Sequence, residues 1–285
     1  MNILITGCNG QLGNELQLLE AKYQQHTFFN TDVNELDITN QLAVDDYVFR
    51  NQIDCIINCA AYTAVDKAEE QKELCTTLNT VAPSYLAAAV EKRGGCMIQI
   101  STDYVFDGTH STPYVETDTP APNSVYGCTK LAGELGVTKF CKKSIVIRTA
   151  WLYSTFGNNF VKTMLRLGRE RKELGVVADQ IGSPTYAADL AAAIMTIVEK
   201  GVKPGVYHYT NEGVASWYDF TKAIHRMAGI KDCNVKPIHT SDYPTAATRP
   251  AYSVLDKKKI TDDYQLTIPY WEEALQRCMD SLLNQ

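Results

Sequence analysis

The chain opens on a short continuous apolar run, Asn2-Ile3-Leu4-Ile5-Thr6, and changes after Gly7-Cys8-Asn9-Gly10 to apolar positions at helical spacing from Gln11 to Glu20. Glycines at such a switch predict a strand, a tight turn and a helix. Further runs at Thr27 to Asn30, Cys55 to Asn58, Met97 to Ile100 and Ser144 to Arg148 predict strands, each followed by a segment of helical character. Strands that are apolar throughout suit a sheet covered on both faces, since one solvated face would leave a polar position at every second residue. The alternation therefore predicts an α/β chain with a doubly wound parallel sheet, a Rossmann fold. Beyond Trp151 the regularity weakens. Tyr186 to Glu199 still predicts a helix with Asp189 near its start, and Gly205 to Tyr209 a strand that resumes the sheet. Tyr243 to Arg249, rich in small polar residues and followed by Pro250, predicts a loop, and Trp271 to Leu283 a final amphipathic helix.

Composition narrows the class. A chain of 285 residues with 45% hydrophobic content can fill a proper core. The net charge of -6 supplies no broad cationic field, so neither nucleic acid nor a membrane surface is an expected partner. Nine cysteines without a Cys-x-x-Cys pair indicate neither a disulfide frame nor a zinc site, and the five histidines are dispersed without ligand spacing. No metal site is expected. Reduced thiols, no basic leader before the first strand, and no apolar run near the roughly 20 residues that span a bilayer predict a cytoplasmic protein.

Gly7, Gly10 and Gly13 stand three apart between a strand and a helix. Small residues there let the backbone approach a pyrophosphate, which sits on the helix N-terminus with Gln11 and Leu12 beside it. Asp32 lies just past the second strand, about 20 residues on, where a carboxylate accepts hydrogen bonds from an adenosine ribose. It repels a ribose 2′-phosphate, and neither Cys8 nor Asn9 supplies a cation for one, a modest lean toward NADH over NADPH. Asp37 and Ile38 are placed to flank the adenine, and Ala60-Ala61-Tyr62-Thr63 to pass beneath the dinucleotide. Residues 1–150 are thus expected to form the dinucleotide-binding domain, its sheet completed by about 175–210. Residues 151–285 are expected to be mostly a smaller C-terminal substrate-binding lobe. No linker divides the two, so a shared cleft is expected.

Tyr126 and Lys130 stack a phenol and an ammonium one turn apart on a helical face. A cation beside a phenol favours the phenolate, which predicts a proton donor tuned toward neutrality. The spacing alone is cheap. With 16 tyrosines a chance match is expected, and Tyr218 with Lys222 repeats it. Order along the chain separates the copies, because only Tyr126 follows both the glycine turn and the strand end at Ser101-Thr102-Asp103. There Ser101 faces the cofactor, Thr102 can donate to a carbonyl oxygen, and Asp103 faces the substrate. Thr102, Tyr126 and Lys130 are the expected catalytic set, with hydride taken from NADPH or NADH.

These residues make the chain resemble the extended short-chain dehydrogenases/reductases. Within that group, the stretches Asn58 to Glu69, Ser101 to Phe106, Val125 to Gly127 with Thr129 to Glu134, Arg148 to Trp151, Gly157 to Phe160, Asp179-Gln180 with Gly182 to Thr185, and Arg249-Pro250 resemble the dTDP-4-dehydrorhamnose reductase family. The resemblance implies reduction of the C4 ketone of a nucleotide sugar, a small-molecule partner, to give dTDP-L-rhamnose for surface polysaccharides. It also implies Trp151 in the sugar pocket beside the matching threonine and tyrosine. Arg249 is expected as a phosphate clamp, with a surface ion pair as the alternative. Two rivals stay open: an epimerase or dehydratase holding NAD tightly, and a regulatory subunit like that of methionine adenosyltransferase. So does a homodimer.

Overall fold

The computed structural model describes residues 1–284. Six parallel strands form the central sheet: β1 (Asn2–Thr6), β2 (Thr27–Thr31), β3 (Cys55–Asn58), β4 (Cys96–Thr102), β5 (Ser144–Thr149) and β6 (Gly205–His208). They run in the order β6-β5-β4-β3-β1-β2. Strand order reverses between β1 and β3, so the crevice beyond their carboxyl ends is where a ligand sits in this architecture. Every residue of β3 and β5 is buried, and their apolar centres, Cys55 to Ile57 and Ile145 to Ile147, suit a sheet covered on both faces.

The sheet is covered on both faces. Helix α1 (Gln11–Leu19) packs on one with the later helices Ala187–Lys200 and Lys258–Tyr264, through Leu12, Leu16, Leu190, Ile194 and Ile260. The other carries α2 (Gln41–Arg50), α3 (Ala82–Lys92) and α4 (Val125–Phe140), through Val44, Val48, Leu86, Val90 and Val137.

The strand expected at Met97 to Ile100 runs on to Thr102, where Ser101 and Thr102 pair with Arg148 and Thr149 of β5. Polar side chains end an apolar pattern in the sequence, yet these remain in the ladder because each finds a buried carboxylate, Ser101 on Glu134 and Thr102 on Asp103.

A second hydrophobic core gathers Val161, Leu165, Phe220, Ile224, Trp271 and Leu275, from helices Phe160–Glu170, Trp217–Met227 and Trp271–Leu283. Short strand pairs brace it, Glu173–Val177 with Asn234–Ile238 in parallel and Ile181–Gly182 with Ala215–Ser216 antiparallel. This core is discontinuous in sequence, because 187–208 and 258–268 return to the sheet. Ser154 donates to buried Glu15 of α1 at 2.6 Å, and Asn159 to Gln11 at 3.0 Å, tying the glycine-turn helix to the second core.

Candidate active site

A cleft of about 760 Å³ lies along the carboxyl edge of the sheet. Gly7, Gly10, Gln11, Leu12, Gly13, Asp32, Asp37, Ile38, Ala60, Ala61, Thr63, Ser101, Thr102, Asp103, Tyr126, Lys130 and Trp151 all line it. The fold thus brings together nearly all the residues expected from sequence.

The glycine turn is built for close approach. Gly7 adopts φ +65, and a Cβ there would stand 2.7 Å from the Ala60 amide nitrogen. At Gly13 a Cβ would meet the Gly7 carbonyl oxygen at 2.4 Å, so a side chain would lever α1 off β1. Gly10 caps α1 without a side-chain acceptor, and no acidic residue stands in the first turn, leaving the helix N-terminus open to an anion. Asp32 accepts from the Asn9 amide at 3.3 Å, which holds its carboxylate against the turn. These features fit a dinucleotide pyrophosphate and ribose.

Tyr62 departs from expectation. It does not line the cleft; its hydroxyl donates to Gln71 at 2.9 Å. Its backbone is clasped by Asn79, which accepts from the Tyr62 amide at 2.9 Å and donates to its carbonyl at 3.1 Å. Asn79 is buried in a π-helical turn, Thr77–Val81, that runs into α3. Nothing local in the sequence marked Asn79, whose partner stands 17 residues away.

Ser124 caps α4 by accepting from the Gly127 amide at 3.1 Å, and Glu69 accepts from the Val125 amide at 2.9 Å. A Cβ on Gly127 would lie 2.2 Å from the Tyr104 carbonyl oxygen. That close approach carries Tyr126 against the turn after β4, where Thr102 accepts from the Tyr104 amide at 3.1 Å and donates to Asp103 at 3.0 Å. Tyr104 meets the Tyr126 ring edge-on at 5.5 Å.

The electrostatics correct the expected tuning of the phenol. Burial raises Tyr126 well above its ordinary value, opposed by the neighbouring Thr102 hydroxyl. Lys130, itself buried, is drawn down to about 8, with Glu134 acting against the shift, and its ammonium donates to the Ile100 carbonyl at 2.7 Å. Helical spacing placed the two groups on one face, and burial moves each of them away from its charged form. Asp103 is pushed up to about 6 by burial, although the Thr102 hydroxyl donates to it at 3.0 Å. Under the site, Glu134 receives Ser101 and the fork of Arg148 at 3.0 and 2.7 Å, a buried ion pair that the sequence did not flag.

Arg249 also departs from the clamp expected of it. Its guanidinium forks onto Asp66 at 3.0 and 2.7 Å and does not line the cleft, so it pins the 243–250 loop to the short helix Val65–Ala68. That pair matches the ion-pair alternative. Tyr218 and Lys222 lie on helix Trp217–Met227 outside the cleft, Lys222 exposed, as a chance match should.

Fold and site together define a nicotinamide-dependent oxidoreductase of the extended short-chain dehydrogenase/reductase class. Residues 1–284 match the family described as RmlD substrate binding domain. The chain is 44% identical to the dTDP-4-dehydrorhamnose reductase of Aggregatibacter actinomycetemcomitans, over 96% of each, and 40% identical to that of Escherichia coli K12, over 100% of this chain and 99% of the other. Among solved structures, a dTDP-4-dehydrorhamnose reductase from Clostridium acetobutylicum superposes with a TM-score of 0.95 at 45% identity, covering 99% of this chain and 100% of that one. One from Bacillus anthracis, in complex with NADP, superposes with a TM-score of 0.94 at 42% identity, covering 98% and 99%. The chain belongs to the dTDP-4-dehydrorhamnose reductase family. A Thermus thermophilus UDP-glucose 4-epimerase, at 17% identity and a TM-score of 0.84, shares the fold.

Proposed function

We infer that this chain reduces the C4 ketone of dTDP-4-dehydro-L-rhamnose to dTDP-L-rhamnose, with NADPH or NADH as reductant. The observation that carries the reading is the convergence of Thr102, Tyr126 and Lys130 on one cleft with the glycine turn. A bound dinucleotide supplies hydride to the carbonyl carbon. In this reading the turn from Gly7 to Gly13 holds the pyrophosphate, Asp32 the adenosine ribose, and Asp37 and Ile38 flank the adenine. Ala60 to Thr63 and Ser101 line the path to the nicotinamide. Tyr126 gives its proton to the carbonyl oxygen. Burial keeps that phenol protonated above neutrality, so it arrives loaded, and it becomes a good donor only as negative charge develops on the oxygen it faces. Thr102 turns its one hydroxyl proton from Asp103 to the same oxygen when the substrate binds, and Lys130 holds the nicotinamide ribose. Asp103 and Trp151 bound the sugar, and the second core, within residues 151–285, is the substrate-binding lobe.

Relatives at 40% identity or more carry the reductase name, whereas the epimerase shares only fold, which favours net reduction over the epimerase and dehydratase rival. An intact Thr102, Tyr126 and Lys130 set argues against a purely regulatory subunit. Asp32 and the lack of a cation at Cys8 or Asn9 favour NADH, while the Bacillus anthracis relative was solved with NADP, so both reductants belong in the assay.

A cytoplasmic location and a homodimer complete the reading. Among the described residues no helix is long and apolar enough to cross a membrane. Sedimentation measures the dimer, and fractionation the location. The deciding experiment follows NADPH and NADH oxidation with dTDP-4-dehydrorhamnose and identifies the sugar product. Tightly held NAD with interconversion of a nucleotide sugar, and no consumption of added reductant, would overturn the assignment.

A further inference from the structure

Trp151 is held in a conformation its own sequence disfavours. Its backbone sits at φ +49, a region a bulky L-residue enters only when its surroundings impose it. Two neighbours hold its ring. Gly182 meets one edge, where a Cβ would stand 2.7 Å from Trp151 Cε2. Trp217 covers one face, its indole stacked on that of Trp151 with centroids 3.5 Å apart and planes 9° from parallel.

Trp217 is itself fixed. Its indole nitrogen donates to Gln180 at 3.2 Å, and the Gln180 amide donates to Thr240 at 3.1 Å. Phe160 packs against its ring at 4.6 Å, and Ser216 and Asp219 cap the helix that it begins. Trp151 lines the cleft, but Trp217, Gln180 and Gly182 do not. Trp217 and Gly182 touch the cleft-lining ring of Trp151 directly.

We propose that Trp217, braced by Gln180, is a positioning residue that sets the plane of the Trp151 indole and thereby the wall the sugar of the nucleotide sugar rests against. The proposal rests on the reductase reading for the identity of that sugar. An aromatic face at a sugar pocket works by orientation: tilted, it opens a gap on one side and intrudes on the other, costing sugar affinity while leaving the glycine turn and the reductant untouched.

The test compares the full chain with Trp217→Ala, Trp217→Phe and Gly182→Ala. Near-ultraviolet circular dichroism, to which packed indoles contribute, should change in both Trp217 variants relative to the parent. Dissociation constants for dTDP-L-rhamnose and NADPH are measured by calorimetry, beside steady-state kinetics. Trp217→Ala should weaken the sugar nucleotide about tenfold, in KM and in Kd, with NADPH affinity and kcat at saturation changed less than about twofold. Trp217→Phe, which keeps a stacking ring, should recover most of that loss. Gly182→Ala, which pushes on the indole edge at Cε2, should weaken the sugar with the indole pair still present. Equal sugar affinity in parent and Trp217→Ala overturns the proposal, as does a loss shared with NADPH, which marks a merely structural role. A parent that binds dTDP-L-rhamnose but never oxidises NADPH sinks the reductase reading and leaves the positioning role standing. A parent that binds no nucleotide sugar overturns both.

Discussion

Glu134→Gln isolates the ion pair beneath the site. Glu134 and Arg148 are each 3% exposed, joined by a fork, and Ser101 of β4 donates to the same carboxylate. The amide keeps the shape and one acceptor oxygen, but it removes the charge and turns a donor toward donors. Removing one partner of a buried pair costs about 3–5 kcal/mol, because the remaining ion is left desolvated. The retained acceptor puts the expected loss near 3 kcal/mol. Urea unfolding measures it as a lower midpoint with an unchanged slope. A second consequence reaches the cleft. Glu134 opposes the downward shift of Lys130, so without it the lysine should lose its proton at lower pH than in the parent. NADPH affinity should therefore begin to fall at lower pH in the variant. A stability loss below about 1 kcal/mol, or identical pH profiles, would refute the reasoning. Adding Arg148→Met should recover part of the loss, since it removes the stranded guanidinium.

Tyr126→Phe should lower kcat by at least about 100-fold with NADPH affinity within a few fold, and Tyr218→Phe should do nothing measurable; comparable losses in the two would detach the reaction from Tyr126. Gly13→Ala should weaken the dinucleotide at least about tenfold in titration, because its Cβ collides with backbone that cannot yield without moving α1. Lys130→Met tests the burial of the ammonium through pH. The folded chain holds this lysine at about 8 and the unfolded chain near the ordinary 10.5, so between those values the unfolded state binds the extra proton. Its destabilising contribution is full below pH 8 and fades as pH rises toward 10.5. Lys130→Met should thus stabilise the fold at pH 7, by on the order of 2 kcal/mol, and less at pH 10; a pH-independent difference contradicts the shift.

The sequence by itself determined what is local or periodic. Unbroken apolar runs announced β1, β3 and β5. Glycines between a strand and a helix announced the turn, and four-residue spacing put Tyr126 and Lys130 on one face of α4. Each depends on a few consecutive residues, whose backbone geometry and side-chain period are set by short-range sterics. What only the tertiary structure decided is which distant groups meet and which lose water. Arg249 joins Asp66 across 183 residues, Gln180 reaches Thr240 across 60, and Asn79 clasps Tyr62 from a π-helical turn that no periodicity marks. The same holds for the phenol. Spacing promised it a cation, but packing turned that cation to the Ile100 carbonyl and buried both groups, so desolvation set their protonation. Desolvation depends on everything packed around a group, and residues far along the chain supply most of that packing.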